Sequence, residues 1–163
     1  MSDMLVRLYD LPPVEPAVQA AAAQGLTIRR GEPWEITEMI AFALEHFSQS
    51  WADQVQVAML RQPISLFVAD DNTKLVGFAA YHATRLDYFG PEGVLEEYRG
   101  RGLGKALVLS CLWAMFHEGY AYAIIGWAGP QDFYRKCVGA IVIPDSEPGV
   151  YWPQLRQPPT PGR

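Results

Sequence analysis

The stretch from residue 88 to residue 116 constrains this chain more than any other. An apolar, aromatic run ends in Arg99-Gly100-Arg101-Gly102-Leu103-Gly104-Lys105, and that loop feeds directly into a long run without helix breakers. The pattern predicts a strand, a glycine-rich turn and a helix start. The first-turn N–H groups of a helix have no partners inside it, and the helix dipole favours negative charge there. Glycines remove the Cβ atoms that would hold an anion away, and Arg99, Arg101 and Lys105 bring positive charge to the same place. The loop therefore reads as a phosphate or pyrophosphate cradle.

Spacing decides which cradle it is. A Walker loop needs a glycine five residues before Gly104 and a Ser or Thr after the lysine, where this chain has Arg99 and Ala106. A dinucleotide fingerprint needs a third glycine three residues after the second, and those positions hold Lys105 or Leu107. Both readings fail, and with them a nucleotide-phosphate enzyme. What remains, Arg99-x-x-Gly102-x-Gly104 after a strand and opening a helix, resembles the acyl-CoA-binding motif of the GNAT superfamily of N-acetyltransferases.

Read in order, the rest of the chain predicts a mixed α/β domain. Residues 4–9 form a short strand, stopped by Pro12 and Pro13, and residues 16–24 are an alanine-rich helix or linker. Leu26-Thr27-Ile28-Arg29-Arg30 alternates as a strand. Residues 35–47 and 51–61 place apolar side chains at helical spacing, the second run ending before Pro63. Residues 64–70 and 74–84 make a hairpin around Asp71-Asn72-Thr73, and a third β-rich run precedes the glycine loop. The helix from about 102 to 117 is apolar around nearly its whole circumference, so it must be covered on more than one side. Either further chain covers it, which is the simpler option, or one flank forms a homodimer interface. A buried strand at 121–126, a short helix at 131–137, a strand at 140–143 and a last extended run at 149–152 complete the pattern. The strand–helix–strand unit at its centre implies parallel neighbours. This order resembles the GNAT acyl-CoA N-acyltransferase fold over residues 26–152, which leaves 1–25 as a strand and linker extension and 153–163 as a proline-rich tail.

Composition sets outer limits. A chain of 163 residues suits one domain. A net charge of −5 argues against nucleic acid as the main partner, since such partners select a basic face. The two cysteines, Cys111 and Cys137, are too few for a disulfide framework and lack metal-ligand spacing; buried apolar packing is the reading for both. No signal peptide and no apolar run of membrane length is visible, so a cytoplasmic, membrane-free protein is the expectation.

The resemblance implies a chemistry: transfer of an acetyl group from acetyl-CoA to an amine, most simply that of a small molecule, by direct attack. Backbone groups around Val94 and Leu95 would bind the pantetheine arm and polarise the thioester carbonyl. Arg99, Gly100, Arg101, Gly102, Leu103, Gly104 and Lys105 would hold the pyrophosphate. Tyr134, in Phe133-Tyr134, stands where the family often has its general acid. Glu92, two residues before Val94 and so on the same strand face, is the candidate general base, with a water relay as the alternative. Asp87, Glu45 and Asp53 are weaker candidates for binding a cationic acceptor, and Phe47, Trp51, Tyr81, Tyr88, Phe89 and Trp127 suit either an acceptor pocket or core. His46, His82 and His117 have no triad or metal spacing. Three departures from the family pattern stand out: Glu96 in place of a common proline, no asparagine near Trp127-Ala128-Gly129-Pro130, and an extra residue at Val138. They keep open an alternative reading, a non-catalytic acyl-CoA-binding sensor or interaction module.

Overall fold

In the computed structural model, which describes residues 1–151, the strand β4 (Leu75–Tyr81) is buried along its entire length. A strand that is apolar on both faces needs a layer on each side. The element order is β1 (Met4–Arg7), α1 (Glu15–Ala22), β2 (Thr27–Arg30), α2 (Ile36–His46), α3 (Gln49–Met59), β3 (Leu66–Asp70), β4, β5 (Tyr88–Val94), α4 (Leu103–His117), β6 (Tyr122–Ile125), α5 (Gln131–Val138) and β7 (Ile141–Val142). The strands form one seven-stranded sheet in the order β2-β3-β4-β5-β6-β1-β7. Every pairing is antiparallel except β5 with β6, the pair joined by the α4 crossover.

On one face, α2 and α3 bring Phe42, Phe47 and Trp51 around Phe78 of β4, with ring centroids 6.3, 5.7 and 6.1 Å from it. Ser48 makes this corner: its side chain accepts the Trp51 N–H at 3.2 Å and caps α3, while the Phe47 and Ser48 N–H groups both return to the Ala43 carbonyl. The corner stacks Phe47 on Trp51 at 5.0 Å, directly over Gly93 of β5. A Cβ on Gly93 would lie 2.5 Å from the Phe47 ring, so only glycine admits this packing.

On the other face, α4 lies across β2 to β6 with Leu103, Leu107, Leu109, Leu112 and Met115 essentially fully buried. Its outer flank is covered by α1 and by the 3-10 turn Leu8–Asp10, and the Trp113 indole donates to the Pro12 carbonyl at 2.9 Å. The all-round apolar helix is therefore satisfied within the chain.

The strand expected at the N-terminus is an interior one. β1 pairs with β6 from Met4↔Ile125 to Arg7↔Tyr122 and with β7 on its other edge, and Met4 and Val6 are fully buried. Two expectations for the end of the chain are corrected. The strand at 140–143 is only Ile141–Val142, because β1 offers it two paired residues. The extended run at 149–152 is instead, over its described part, the 3-10 turn Gly149–Tyr151, with Gly149 at φ +74. Trp152 and the tail at 153–163 lie outside the described residues.

The Gly93→Ala variant should be destabilised by about 1–3 kcal/mol, as overpacked sites usually are, because Phe47 or Trp51 must leave its place. Thermal unfolding should show a loss of several degrees, and a wild-type melting temperature would contradict the packing described.

Candidate active site

β5 and β6 run side by side for only two residue pairs, Tyr88↔Ile124 and Phe89↔Ile125. β6 then ends at Ile125 while β5 continues to Val94, and a gap opens between them. Backbone alternation decides which groups face it. The Leu95 N–H donates to the Val76 carbonyl at 2.9 Å, so Leu95 and Val76 form a hydrogen-bonded antiparallel pair. The preceding pair, Val94 with Gly77, must then point its N–H and C=O away from β4 and toward the gap. The Val94 carbonyl accepts from Arg99 Nε at 3.3 Å. Of the two residues expected to offer backbone groups there, Val94 does so and Leu95 spends its N–H inside the sheet.

At the far end of β5 lies the glycine loop. Gly100 and Gly102 have φ of +76° and +83°, the left-handed region, and a Cβ on either would meet no atom within 4 Å. They are glycines for the backbone path, and the space before them is open. The first hydrogen bond of α4 runs from Ala106 N–H to the Gly102 carbonyl, so the N–H groups of Leu103, Gly104 and Lys105 have no acceptor within the helix. The Leu103 side chain is core, only 1 % exposed, and this residue can serve an anion through its amide alone. Arg99, Arg101 and Lys105 are exposed around these amides. Arg101 is braced: its guanidinium lies 4.8 Å over the Tyr98 ring and donates to the Glu97 carbonyl, while Gln24 donates to its own carbonyl. An open concavity with three amides and three cations fits a pyrophosphate.

Glu92 and Tyr134, both read from the sequence as candidate catalytic residues, meet beside the gap. Glu92 projects from β5 toward α4 and α5, and Tyr134 O–H donates to its Oε2 at 3.2 Å. Gly104 makes room, since a Cβ there would sit 3.2 Å from Glu92 Oε1. Burial pushes the Glu92 carboxyl up to about 8, the Tyr134 hydrogen bond pulling the other way. Burial, together with the charge of Glu92, also pushes the Tyr134 phenol up. Phe89 and Phe133 pack around Tyr134 at 6.1 and 5.1 Å between ring centroids. The pair borders a cleft of about 530 Å³ that Trp51, Gln54, Pro91 and Trp127 also line.

The remaining candidates lie elsewhere. Tyr81 and Phe47 belong to the core, whereas Trp51, Phe89 and Trp127 reach the cleft. Asp53 accepts from Gln49, and Glu45 is exposed at the end of α2 beside His46. Asp87 sits in the turn before β5 at φ +70, its Oδ1 buried without a partner and its carboxyl raised by burial. His82 is structural: it accepts the Asp87 N–H on Nδ1 and holds Glu118 from Nε2 at 3.1 Å. Tyr81 donates to the same Glu118 at 2.7 Å and accepts from Arg30 at 2.8 Å. Cys111 is buried, with its thiol raised well above the usual range by burial. Sequence reasoning missed this polar cluster and also Asp3. The Asp3 carboxylate is buried and accepts the Trp127 N–H at 2.7 Å, and Ala128 donates to the Ser2 carbonyl at 3.0 Å. The N-terminal segment thus fastens one wall of the cleft. Among the described residues there is no cluster of three metal-ligating side chains and no helix long and apolar enough to cross a membrane.

Comparison with known proteins agrees with this geometry. Residues 62–137, from the approach to β3 through the glycine loop to α5, match the acetyltransferase (GNAT) domain family model. Among solved structures, the chain is similar to the GCN5-related glucosamine N-acetyltransferase region of a fungal multi-domain GH3 β-N-acetylglucosaminidase, with a TM-score of 0.70 and 20% identity over 87% of this chain and 19% of that one. It is also similar to GCN5-related N-acetyltransferases from Sphaerobacter thermophilus (TM-score 0.63, 21% identity, 87% of this chain and 48% of that one) and Kribbella flavida (TM-score 0.59, 18% identity, 86% and 53%). The chain therefore spans between about a fifth and about half of the length of these three proteins. No curated protein matches it in sequence. The chain has the GNAT fold, and its residues 62–137 carry the GNAT acetyltransferase domain match.

Proposed function

We propose that this chain is an acetyl-CoA-dependent N-acetyltransferase that acts on a small amine. The observation that carries this reading is the Glu92–Tyr134 hydrogen bond beside the gap between β5 and β6, on the strand that leads into the anion cradle. Acetyl-CoA, as the donor substrate, would supply the thioester acetyl group. Arg99, Arg101, Lys105 and the amides of Leu103 to Lys105 are suited to hold its pyrophosphate, and the gap-facing Val94 backbone to take its arm as an added strand.

The two side chains can then manage the protons. Glu92 takes the proton that the attacking amine sheds, and Tyr134 gives its hydroxyl proton to the departing thiolate. Glu92 returns a proton to Tyr134 across the 3.2 Å hydrogen bond. One C–N bond forms, one C–S bond breaks, and one net proton passes from nitrogen to sulfur. A carboxyl near 8 suits this task, lying between an alkylammonium at about 10.4 and a thiol at about 8.5.

Calorimetric titration with acetyl-CoA should show binding that is lost in Gly102→Glu, where a side chain and a negative charge enter the cradle. In a thiol-release assay, Tyr134→Phe should lower kcat by about 100-fold or more, the scale of a lost general acid, with CoA affinity near that of wild type. Binding without any thiol release would instead support the sensor reading.

The wild-type kcat/KM should rise with pH through about 8 as Glu92 ionises. Glu92→Gln should lose this inflection and keep only the titration of the amine. Stability gives an independent readout. The folded pKa of Glu92 lies above its unfolded value, so the folded state binds more protons between about 4.5 and about 8, and stability falls as pH rises across that window. Glu92→Gln removes this loss. It should melt several degrees above wild type at pH 8 or higher and close to it below pH 4.5; equal melting points at high pH would show that Glu92 is not held protonated by the fold.

A further inference from the structure

The lining of the cleft narrows the acceptor, on the premise that the acetyltransferase reading above is correct. Among the described residues, Glu92 is the only lining residue with a charged side chain, and no lysine, arginine or histidine reaches the space. A second cationic group on an acceptor would therefore meet no second carboxylate. An acceptor carboxylate or phosphate would meet no side-chain cation, and a charge taken from water without a partner is costly. The body attached to the reacting amine should be uncharged.

The walls say what kind of body it is. Trp51 comes from α3, locked by its stacking on Phe47 and its edge contact with Phe78. Trp127 comes from the loop after β6, 43 % exposed and at φ +51, a backbone conformation that is strained for a tryptophan. Asp3 and Ser2 hold it there through the hydrogen bonds to Trp127 and Ala128. Phe89 and Pro91 add further apolar surface. The polar groups at the rim are already engaged. Gln54 accepts from Thr84 and donates to Ser50, and Ser48 accepts from Trp51. Few hydrogen-bonding groups are left to read a ring of hydroxyls.

We propose that the acceptor is an arylalkylamine, a primary amine on an uncharged aromatic body, with its ring against Trp127 and its amino group toward Glu92. The strained Trp127 backbone and its buried Asp3 partner make this platform rigid, so ordering it costs little when the ring binds.

The test uses the full chain and phenethylamine as the probe, beside spermidine, glucosamine, tyrosine and a lysine-bearing peptide. Each is titrated against wild type by calorimetry, with and without saturating CoA, and then assayed for thiol release with acetyl-CoA. Phenethylamine should bind at least tenfold more tightly than any of the others and give the highest kcat/KM. Trp127→Ala should weaken its binding tenfold or more and leave CoA affinity unchanged, and Trp127→Phe should restore most of it. Preference for spermidine, glucosamine, tyrosine or the peptide would overturn the proposal on the wild-type protein alone, as would undiminished phenethylamine binding in Trp127→Ala. Tight, Trp127-dependent phenethylamine binding without thiol release would support this pocket chemistry while removing the acetyltransferase reading.

Discussion

The parting of β5 from β6 is the constraint on which the rest of this structure depends. Two parallel strands that separate after two residue pairs leave backbone N–H and C=O groups unpaired in the middle of a sheet, where most such groups are satisfied. Water or a bound chain must meet them, so the gap is a place for a ligand. The crossover keeps the two ends of such a ligand in register. β5 leads through the glycine loop into α4, and α4 returns to β6, so the anion cradle and the gap are set by a single strand–loop–helix unit. Neither can move without the other.

The same opening explains how a carboxylate comes to be buried beside a phenol. Glu92 lies on the covered face of β5, under α4 and α5, where its charge is poorly solvated and its carboxyl is raised. A fold optimised only for stability would place an apolar residue there. Gly104 is part of the same arrangement, because any side chain at that position would press on Glu92. The glycine read as part of the cradle thus also spares room for the acid–base pair, which ties the spacing of the loop to the chemistry as well as to the anion.

Much of this was legible in the chain because it is local. The strand, glycine loop and helix occupy consecutive residues, and the alternation that sets Glu92 and Val94 on one face of β5 is a property of any strand. Tyr134 was found by its place in the order of elements. What could not be read is non-local. The interior position of β1 follows from pairing between residues more than a hundred apart, such as Met4 with Ile125, and a four-residue apolar strand carries no sign of its partner. The cluster of Arg30, Tyr81, His82 and Glu118 draws on three separate strands or turns and the end of α4. Gly149 looks compatible with an extended run until its φ of +74 and its nearness to Asp3 are seen.

Those first residues tie two parts of the molecule that otherwise have no direct connection. The turn after β1 and the helix α1 cover the outer flank of α4, which is the scaffold of the anion cradle. Ser2 and Asp3 hold the loop of Trp127 and Ala128, which is one wall of the cleft. β1 itself completes the hydrogen bonding of β6 on the side away from β5, so β6 is held firmly at the point where it leaves its parallel partner. The shape of the gap is therefore set from both sides. β4 and α4 hold β5, and the N-terminal strand holds β6; a strand distant in sequence from every candidate catalytic residue thereby becomes part of the framework that keeps them apart by the width of a ligand.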